Sequence, residues 1–196
     1  GIDGLSAGLS LLALSGFLYC FMHEGLFLYS LLISGLIGVL LTFLYFNMFG
    51  NPDKGTKIFM GDSGSLTLGF ILGFLAVKYS MDNPNIVSYR ANALLYSYTL
   101  LIVPVFDVVR IILYRLRHGA SIFSPDKNHI HHKVMRAGFS QHQALGIIVS
   151  LALAFILINL TVYKYLDYTL TVLLDIVIYI VFNLCLNAAI KRKGVN

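Results

Sequence analysis

Long apolar runs follow one another along the chain, and short polar segments separate them. The runs are about 18 to 23 residues long, which is the length that a helix needs to cross roughly 30 Å of hydrocarbon. The period-two alternation of a barrel strand is absent. The pattern therefore predicts an all-α fold, a polytopic integral membrane helical bundle with about six transmembrane helices in a single membrane domain (1–196). The predicted spans are about 5–22, 26–46, 64–80, 93–114, 143–163 and 168–190.

Composition and charge agree with this pattern and orient it. The chain is 58% hydrophobic and 12% charged, whereas a soluble domain is about half apolar and a quarter charged. With six spans, both termini and the two long polar loops, about 47–63 and 115–142, lie on the same side. That side holds eleven of the 14 Lys and Arg residues, and the positive-inside rule therefore places it in the cytoplasm.

Charged and ionisable groups are concentrated in one polar segment, residues 104–140. Five of the six histidines lie within this segment or just beyond its end, together with six Lys and Arg residues and the carboxylates of Asp107 and Asp126. A membrane protein that gathers such groups at one interface is expected to handle a charged ligand there.

The sequence Phe59-Met-Gly-Asp-Ser-Gly-Ser65, at the start of the third span, is a candidate metal site. Asp62 lies between two glycines that permit close backbone approach to a ligand. One or two carboxylates, completed by water and phosphate oxygens, suit Mg²⁺. The alternative is that Asp62 or Ser63 is only the N-cap of a helix.

Three histidines, His129, His131 and His132, fall within four residues. They can bind zinc, or they can supply proton donors and cations to a phosphate. Adjacent side chains diverge on any backbone, so a single ion is not expected to take all three. A solvated loop is the remaining alternative.

Two further carboxylates accompany these clusters. Asp107 and Arg110 are three residues apart, which predicts either an ion pair on one helix face or a role in the site. Asp3 is flanked by glycines ahead of the first span. The predicted topology brings all of these clusters to one membrane face, where they form a candidate site for a metal-bound polyphosphate.

Two features inside the spans have structural explanations. Gly69 and Gly73 have a small-xxx-small spacing, which predicts close contact between helices. Asp175 lies in the middle of the last span as an isolated carboxylate, and a hydrogen bond to another helix is expected, although the sequence identifies no partner.

Three segments together resemble the polyprenyl-phosphate N-acetylhexosamine-1-phosphate transferases, relatives of phospho-N-acetylmuramoyl-pentapeptide transferase. GIDGLSAG, at residues 1–8, resembles the end of the family motif N-L-x-D-G-[IL]-D-G-L-x-x-G. FMGDSGSLTLGF resembles F-x-G-D-x-G-S-x-x-L-G. The segment from Pro104 to His132 resembles the family's third motif with a shifted arginine spacing, and its H-x-H-H form is similar to that of the sugar-phosphate branch.

The resemblance implies a reaction and a set of roles. The phosphate of undecaprenyl phosphate would attack the β-phosphorus of a UDP-N-acetylhexosamine (N-acetylglucosamine is expected), giving polyprenyl-diphosphate-sugar and UMP. It implies Mg²⁺ as the cofactor, with Mn²⁺ as an alternative. It also implies a bacterial inner-membrane location with the site facing the cytoplasm, and contact with membrane lipids and no nucleic acid; a homodimer is left open. The implied catalytic residues are Asp62, which is also the metal ligand, His129, His131 and His132. The implied substrate-binding residues are Asp3, Asp107, Arg110, Ser121 and Asp126.

The resemblance covers roughly the carboxy-terminal half to two-thirds of such an enzyme. A paired-aspartate motif and the first half of the N-L-x-D-G motif are not in this sequence, so this stretch alone is expected to be inactive. Two other functions remain open. A transporter or channel for an anionic solute would place paired charges within its spans. A metal-binding membrane scaffold would retain zinc on its histidines.

Overall fold

A computed structural model describes residues 2–81, 90–122 and 128–193 of the chain. Within these residues the fold is entirely helical, as the apolar pattern predicts. The helices are α1 (Leu5–His23), α2 (Phe27–Phe49), α3 (Gly61–Ser80), α4 (Ala93–Arg117), α5 (Ile130–Arg136), α6 (Gln141–Val162) and α7 (Tyr168–Arg192).

Five of these helices, α1, α2, α3, α6 and α7, are long and apolar enough to cross a membrane. Much of their apolar surface is exposed to the surroundings; Leu28 and Leu31 of α2 are examples. A helix that is hydrophobic on all sides belongs in lipid or in a large core, and the protein is therefore a polytopic helical membrane protein. The fourth predicted span coincides with α4, which runs through Pro104 and is 25 residues long but is not among the five.

The chain forms two compact units. In the first, residues 3–100, α1 packs against both α2 and α3. Its centre is aromatic: the Phe21 ring stacks on Tyr29 at 5.0 Å between centroids and meets the edge of Tyr79 at 5.3 Å. Aromatic pairs in these geometries stabilise a core beyond the area that they bury.

The glycines that pack closely differ from the prediction. A Cβ added to Gly69 or Gly73 would have no heavy atom within 4 Å, so their spacing does not mark a helix contact within this unit. The close approach is instead at Gly16 of α1, where an added Cβ would overlap the Leu100 side chain. A small-xxx-small spacing shows that a close contact is sterically permitted, but it does not show that one is made.

The second unit comprises Ile2 and the described residues from Leu101 onward. Here α5 packs on α6 and α7, which also contact each other. A capping box starts α6, in which the Ser140 hydroxyl accepts from the Gln143 backbone and the Gln143 side chain accepts from the Ser140 backbone. The short helix α5 lies inside the predicted loop 115–142. The sequence did not predict it because seven residues are too few to show a helical period.

Candidate functional site

The buried carboxylate of Asp107, on the second half of α4, connects several segments of the second unit. Its Oδ1 accepts hydrogen bonds from Arg110 Nη2 at 2.7 Å and from the Ile130 backbone N–H at 3.0 Å. Its Oδ2 accepts from His129 Nδ1 at 2.8 Å. The predicted ion pair with Arg110 is therefore confirmed. The same carboxylate also fixes the start of α5 to α4.

His129 precedes the first residue of α5, and its ring is held by Asp107. Because a carboxylate only accepts hydrogen bonds, Nδ1 carries a proton in this contact and Nε2 faces away from the carboxylate. The side chain is 38% exposed. His129 therefore presents a defined nitrogen to a ligand, as a histidine oriented by a carboxylate does in many active sites.

His131 and His132 continue the imidazole cluster along α5. The His131 ring lies 5.9 Å from that of His129 and 4.2 Å from that of His132. His131 is 8% exposed, and its Nε2 has no hydrogen-bond partner among the described residues. Burial, helped by its two histidine neighbours, lowers the pKa of His131 to about 4. The ring is therefore neutral at neutral pH.

Three cations, Arg110 of α4 and Lys133 and Arg136 of α5, accompany this cluster. Arg110 also donates to the backbone carbonyl of Asn128, and Arg136 donates to the Asn128 side chain at 3.3 Å. Lys133 donates to Asn183 Oδ1 of α7 at 3.1 Å. Burial and the nearby guanidinium groups lower the pKa of Lys133 to about 8. Positive charge is thus concentrated beside the histidines, as binding of phosphate groups requires.

In the first unit, Asp62 lies in the first turn of α3. Met60 occupies the N-cap position and makes no side-chain capping bond, so the interpretation of Asp62 or Ser63 as an N-cap is wrong. Gly61 adopts a φ of +65°, a left-handed conformation that favours glycine. The Asp62 carboxylate is exposed. It makes no hydrogen bond or ion pair within the described part of the chain, and it is available to a ligand.

Asp3 lies in the same unit as Asp62 and is held by a residue that the motif analysis did not select. Its Oδ2 accepts from Lys57 Nζ at 2.7 Å. Beside it, Asn47 near the end of α2 accepts from the Gly4 backbone and donates to the Ile58 carbonyl, both at 2.8 Å. Asn47 thereby joins the turn before α1 to the segment before α3. A lone amide in an apolar run was the only sequence signal for this role.

The remaining predicted residues are placed as follows. Ser121 is exposed four residues beyond the end of α4. Asp126 lies outside the described residues. No group of three or more His, Cys, Asp or Glu side chains arranged to hold a metal ion occurs within the described ranges. The meeting of the Asp62 and histidine clusters at one site stays a prediction.

The fold and these side chains define a multi-pass helical membrane protein with a histidine-rich polar site. Comparison with known proteins shows which proteins of this class the chain is similar to. The model of glycosyl transferase family 4 matches residues 1–80. An undecaprenyl-phosphate alpha-N-acetylglucosaminyl 1-phosphate transferase of Yersinia pestis is 33% identical over 154 residues, which are 79% of this chain and 40% of that protein.

Two further relatives give the same result. The protein of the same name from Escherichia coli K12 is 34% identical over the same shares of both chains. A probable undecaprenyl-phosphate N-acetylglucosaminyl 1-phosphate transferase of Bacillus subtilis is 33% identical over 155 residues, 79% of this chain and 40% of that one. The chain is thus similar to glycosyl transferase family 4 over residues 1–80, and to these transferases over about four fifths of its length. It spans about two fifths of the length of these curated relatives. No solved structure matches it.

Proposed function

We propose that the enzyme carrying this chain transfers N-acetylhexosamine 1-phosphate from a UDP-sugar to undecaprenyl phosphate. An oxygen of the lipid phosphate forms a bond to the β-phosphorus of the UDP-sugar. The bond from that phosphorus to the oxygen bridging the two phosphates breaks, and UMP leaves. The names of the relatives support a lipid phosphate acceptor and N-acetylglucosamine as the sugar.

The observation that carries this proposal is the contact between Asp107 and His129. It fixes an imidazole whose second ring nitrogen faces away from the carboxylate; Arg110 shares that carboxylate, and Lys133 and Arg136 follow on α5. One diphosphate group and a phosphate nucleophile carry several negative charges, and catalysis of phosphoryl transfer consists mainly of positioning and charge stabilisation. A fixed imidazole surrounded by cations can do both.

The donor set also fits Mg²⁺. Asp62 offers an exposed carboxylate with no partner in the described ranges, next to a glycine in the left-handed conformation. Mg²⁺ typically takes one or two protein carboxylates together with phosphate oxygens and water. When bound, the ion would neutralise diphosphate charge and orient the displacement. Mn²⁺ prefers the same oxygen ligands.

The same reasoning extends to location. A lipid acceptor requires a membrane enzyme, and the concentration of Lys and Arg on one predicted side supports a bacterial cytoplasmic membrane with the site facing the cytoplasm. A homodimer stays a prediction. The transporter alternative is weakened because Asp175, a fully buried acid within a span, is bonded to Asn159 of the neighbouring helix, as a structural group would be.

The test is UMP release by the purified enzyme carrying this chain, supplied with UDP-N-acetylglucosamine, undecaprenyl phosphate and MgCl₂. Release should require both substrates, stop with a chelator and return with added Mg²⁺. His129→Gln should lower kcat roughly 10²- to 10⁴-fold. The matched control is His142→Gln, because His142 is an exposed histidine at the start of α6. This substitution should leave kcat unchanged.

Two outcomes would overturn the proposal. One is the absence of UMP release with any UDP-N-acetylhexosamine. The other is uptake of an intact UDP-sugar into sealed vesicles without UMP formation, which would support the transporter.

A further inference from the structure

An apolar groove runs along the second unit between α4 and α7, with a volume of about 610 Å³. Its walls include Val109 and Leu113 of α4 and Ile176 and Ile180 of α7. Val109, Leu113 and Ile180 are about half exposed. The groove is therefore open to the surroundings along these apolar side chains, and its volume can take a hydrocarbon chain.

A second space of about 600 Å³ adjoins the groove and is polar. Arg110 and Lys133 line both spaces, which makes them continuous. Arg136 and Lys191 add two more cations to the second space. Asp107 offsets the charge of Arg110. The excess positive charge therefore comes from Lys133, Arg136 and Lys191.

One face of α7 is polar where the groove meets the cationic space. Asn183, Asn187 and Lys191 are spaced four residues apart and share this face. Polar residues inside an apolar span are costly and usually functional. Asn183 is bonded to Lys133, while Asn187 lines both spaces. The residues that the family motifs imply for the transfer reaction do not include Asn183 or Asn187.

We propose that these two spaces hold an anionic phospholipid with a hydroxyl-bearing head group, such as phosphatidylglycerol. One acyl chain lies in the α4–α7 groove, and the phosphodiester lies among Lys133, Arg136 and Lys191. The Asn187 amide, which both donates and accepts, hydrogen-bonds the head-group hydroxyls. Basic pockets between transmembrane helices bind anionic head groups in this way.

Two features favour a resident phospholipid over the acceptor lipid of the transfer reaction. His129, His131 and His132 line neither the groove nor the cationic space, although the cationic space shares Arg110, Lys133 and Arg136 with the candidate catalytic site. A phosphate attached directly to a hydrocarbon chain also has no hydroxyls for an amide to recognise. The inference shares these cations with the proposed function, and the head-group preference of the protein tests it separately.

The test compares the full protein in nanodiscs of phosphatidylcholine with and without phosphatidylglycerol. Native mass spectrometry should show phosphatidylglycerol retained after delipidation, and thermal unfolding should shift upward when it is present. Combined Arg136→Gln and Lys191→Gln substitution should weaken retention at least about tenfold. Arg192→Gln removes the same charge from the next residue of α7, which lines neither space, and should retain the lipid.

A second comparison tests head-group recognition and does not depend on the charge variants folding. Phosphatidylmethanol has the same charge as phosphatidylglycerol and no head-group hydroxyl. The unaltered protein should prefer phosphatidylglycerol, and Asn187→Leu should abolish that preference. Equal retention of the two lipids by the unaltered protein would overturn the assignment. Displacement of phosphatidylglycerol by equimolar undecaprenyl phosphate would overturn it as well, by making the groove the acceptor site.

Discussion

Two aspartates, one in each unit, have opposite surroundings. Asp107 is 7% exposed and accepts hydrogen bonds from a guanidinium, an imidazole and a backbone amide. Asp62 is exposed at the start of α3, and its carboxylate has no partner in the described ranges. Both match positions in family motifs, and the resemblance implies catalysis and metal binding for Asp62 and substrate binding for Asp107.

The difference separates two ways in which a carboxylate can serve a site. A carboxylate whose oxygens are already occupied by protein donors positions other groups, and Asp107 thus acts through His129. A carboxylate that is solvated and unengaged can exchange water for a ligand without breaking the fold. Asp62 should therefore affect catalysis with little effect on stability, and Asp107 should affect both.

The largest expected effect is the loss of catalytic rate in the Asp62→Asn variant of the enzyme carrying this chain. Removing the charge while keeping the side-chain volume should lower kcat about 10³-fold or more, because a metal clamp on a phosphoryl group contributes several kcal/mol. The melting temperature should stay unchanged because the residue is exposed. UMP release and circular dichroism melting measure the two quantities.

Asp53→Asn is the matched control, since Asp53 is an exposed acid in the segment before α3. It should leave both kcat and the melting temperature unchanged. Full activity of the Asp62→Asn variant would show that Asp62 is not a metal ligand. Unfolding of this variant would contradict the expectation that Asp62, unlike Asp107, does not stabilise the fold.

The second prediction concerns the stability of Asp107→Asn. The substitution leaves the Arg110 charge without its counterion and puts an NH₂ group among donors. Breaking a buried, hydrogen-bonded ion pair destabilises a fold by about 3 kcal/mol or more. Denaturation of the purified protein should show this loss, with a fall in kcat because His129 is no longer held. A full-stability variant would show that α5 does not depend on Asp107.

The contrast also shows how far sequence reasoning reached. Apolar run length predicted the helical membrane fold, because a span needs a fixed number of apolar residues whatever they pack against. Spacing predicted the Asp107–Arg110 pair for a similar reason, since residues three apart on a helix are neighbours. Both predictions depend on local geometry alone.

Contacts between distant segments could not be predicted in this way. Asp107 and His129 are 22 residues apart, and Lys57 and Asp3 are 54 apart. Nothing in the spacing of either pair requires contact, because the intervening chain can follow many paths. The partner of Asp175 was missed for the same reason, and the packing of Gly16 was missed because contact depends on the neighbour as well as on the glycine.

The third prediction compares a buried histidine with an exposed one. The pKa of His131 is lowered to about 4, and that of an unfolded histidine is about 6.5. The unfolded chain therefore binds more protons between these values, so stability is complete above about pH 6.5 and is lost as the pH falls toward 4. His129 and His132 oppose protonation of His131, and Asp107 favours it.

The loss should be on the order of 2 kcal/mol by pH 5, since one pKa unit corresponds to about 1.4 kcal/mol. Melting temperatures measured from pH 7.5 to pH 5 would show it. His131→Gln should flatten this pH dependence, and His142→Gln should not. A parallel decline in both variants would assign the acid sensitivity to other groups.

The smallest expected effect concerns Asp175, a third aspartate that combines burial with a neutral partner. Asn159 Nδ2 of α6 donates to Asp175 Oδ2 of α7 at 2.9 Å, and both side chains are almost fully buried. Hydrogen bonds between helices in membranes typically contribute about 1 kcal/mol, because the unfolded state in the bilayer also finds partners. Asn159→Leu should therefore destabilise the protein by about 1 kcal/mol in steric-trap or detergent unfolding.

Thr161→Val is the matched control on the same helix, because the Thr161 hydroxyl bonds only to carbonyls of α6 itself among the contacts described here, those of Leu157 and Ile158. It should change stability by less than about 0.5 kcal/mol. Equal losses in the two variants would mean that the α6–α7 bond adds nothing beyond local helix stability. A loss at Asn159 near that of Asp107→Asn would mean that the packing of α6 against α7 depends on this amide as strongly as α5 depends on Asp107.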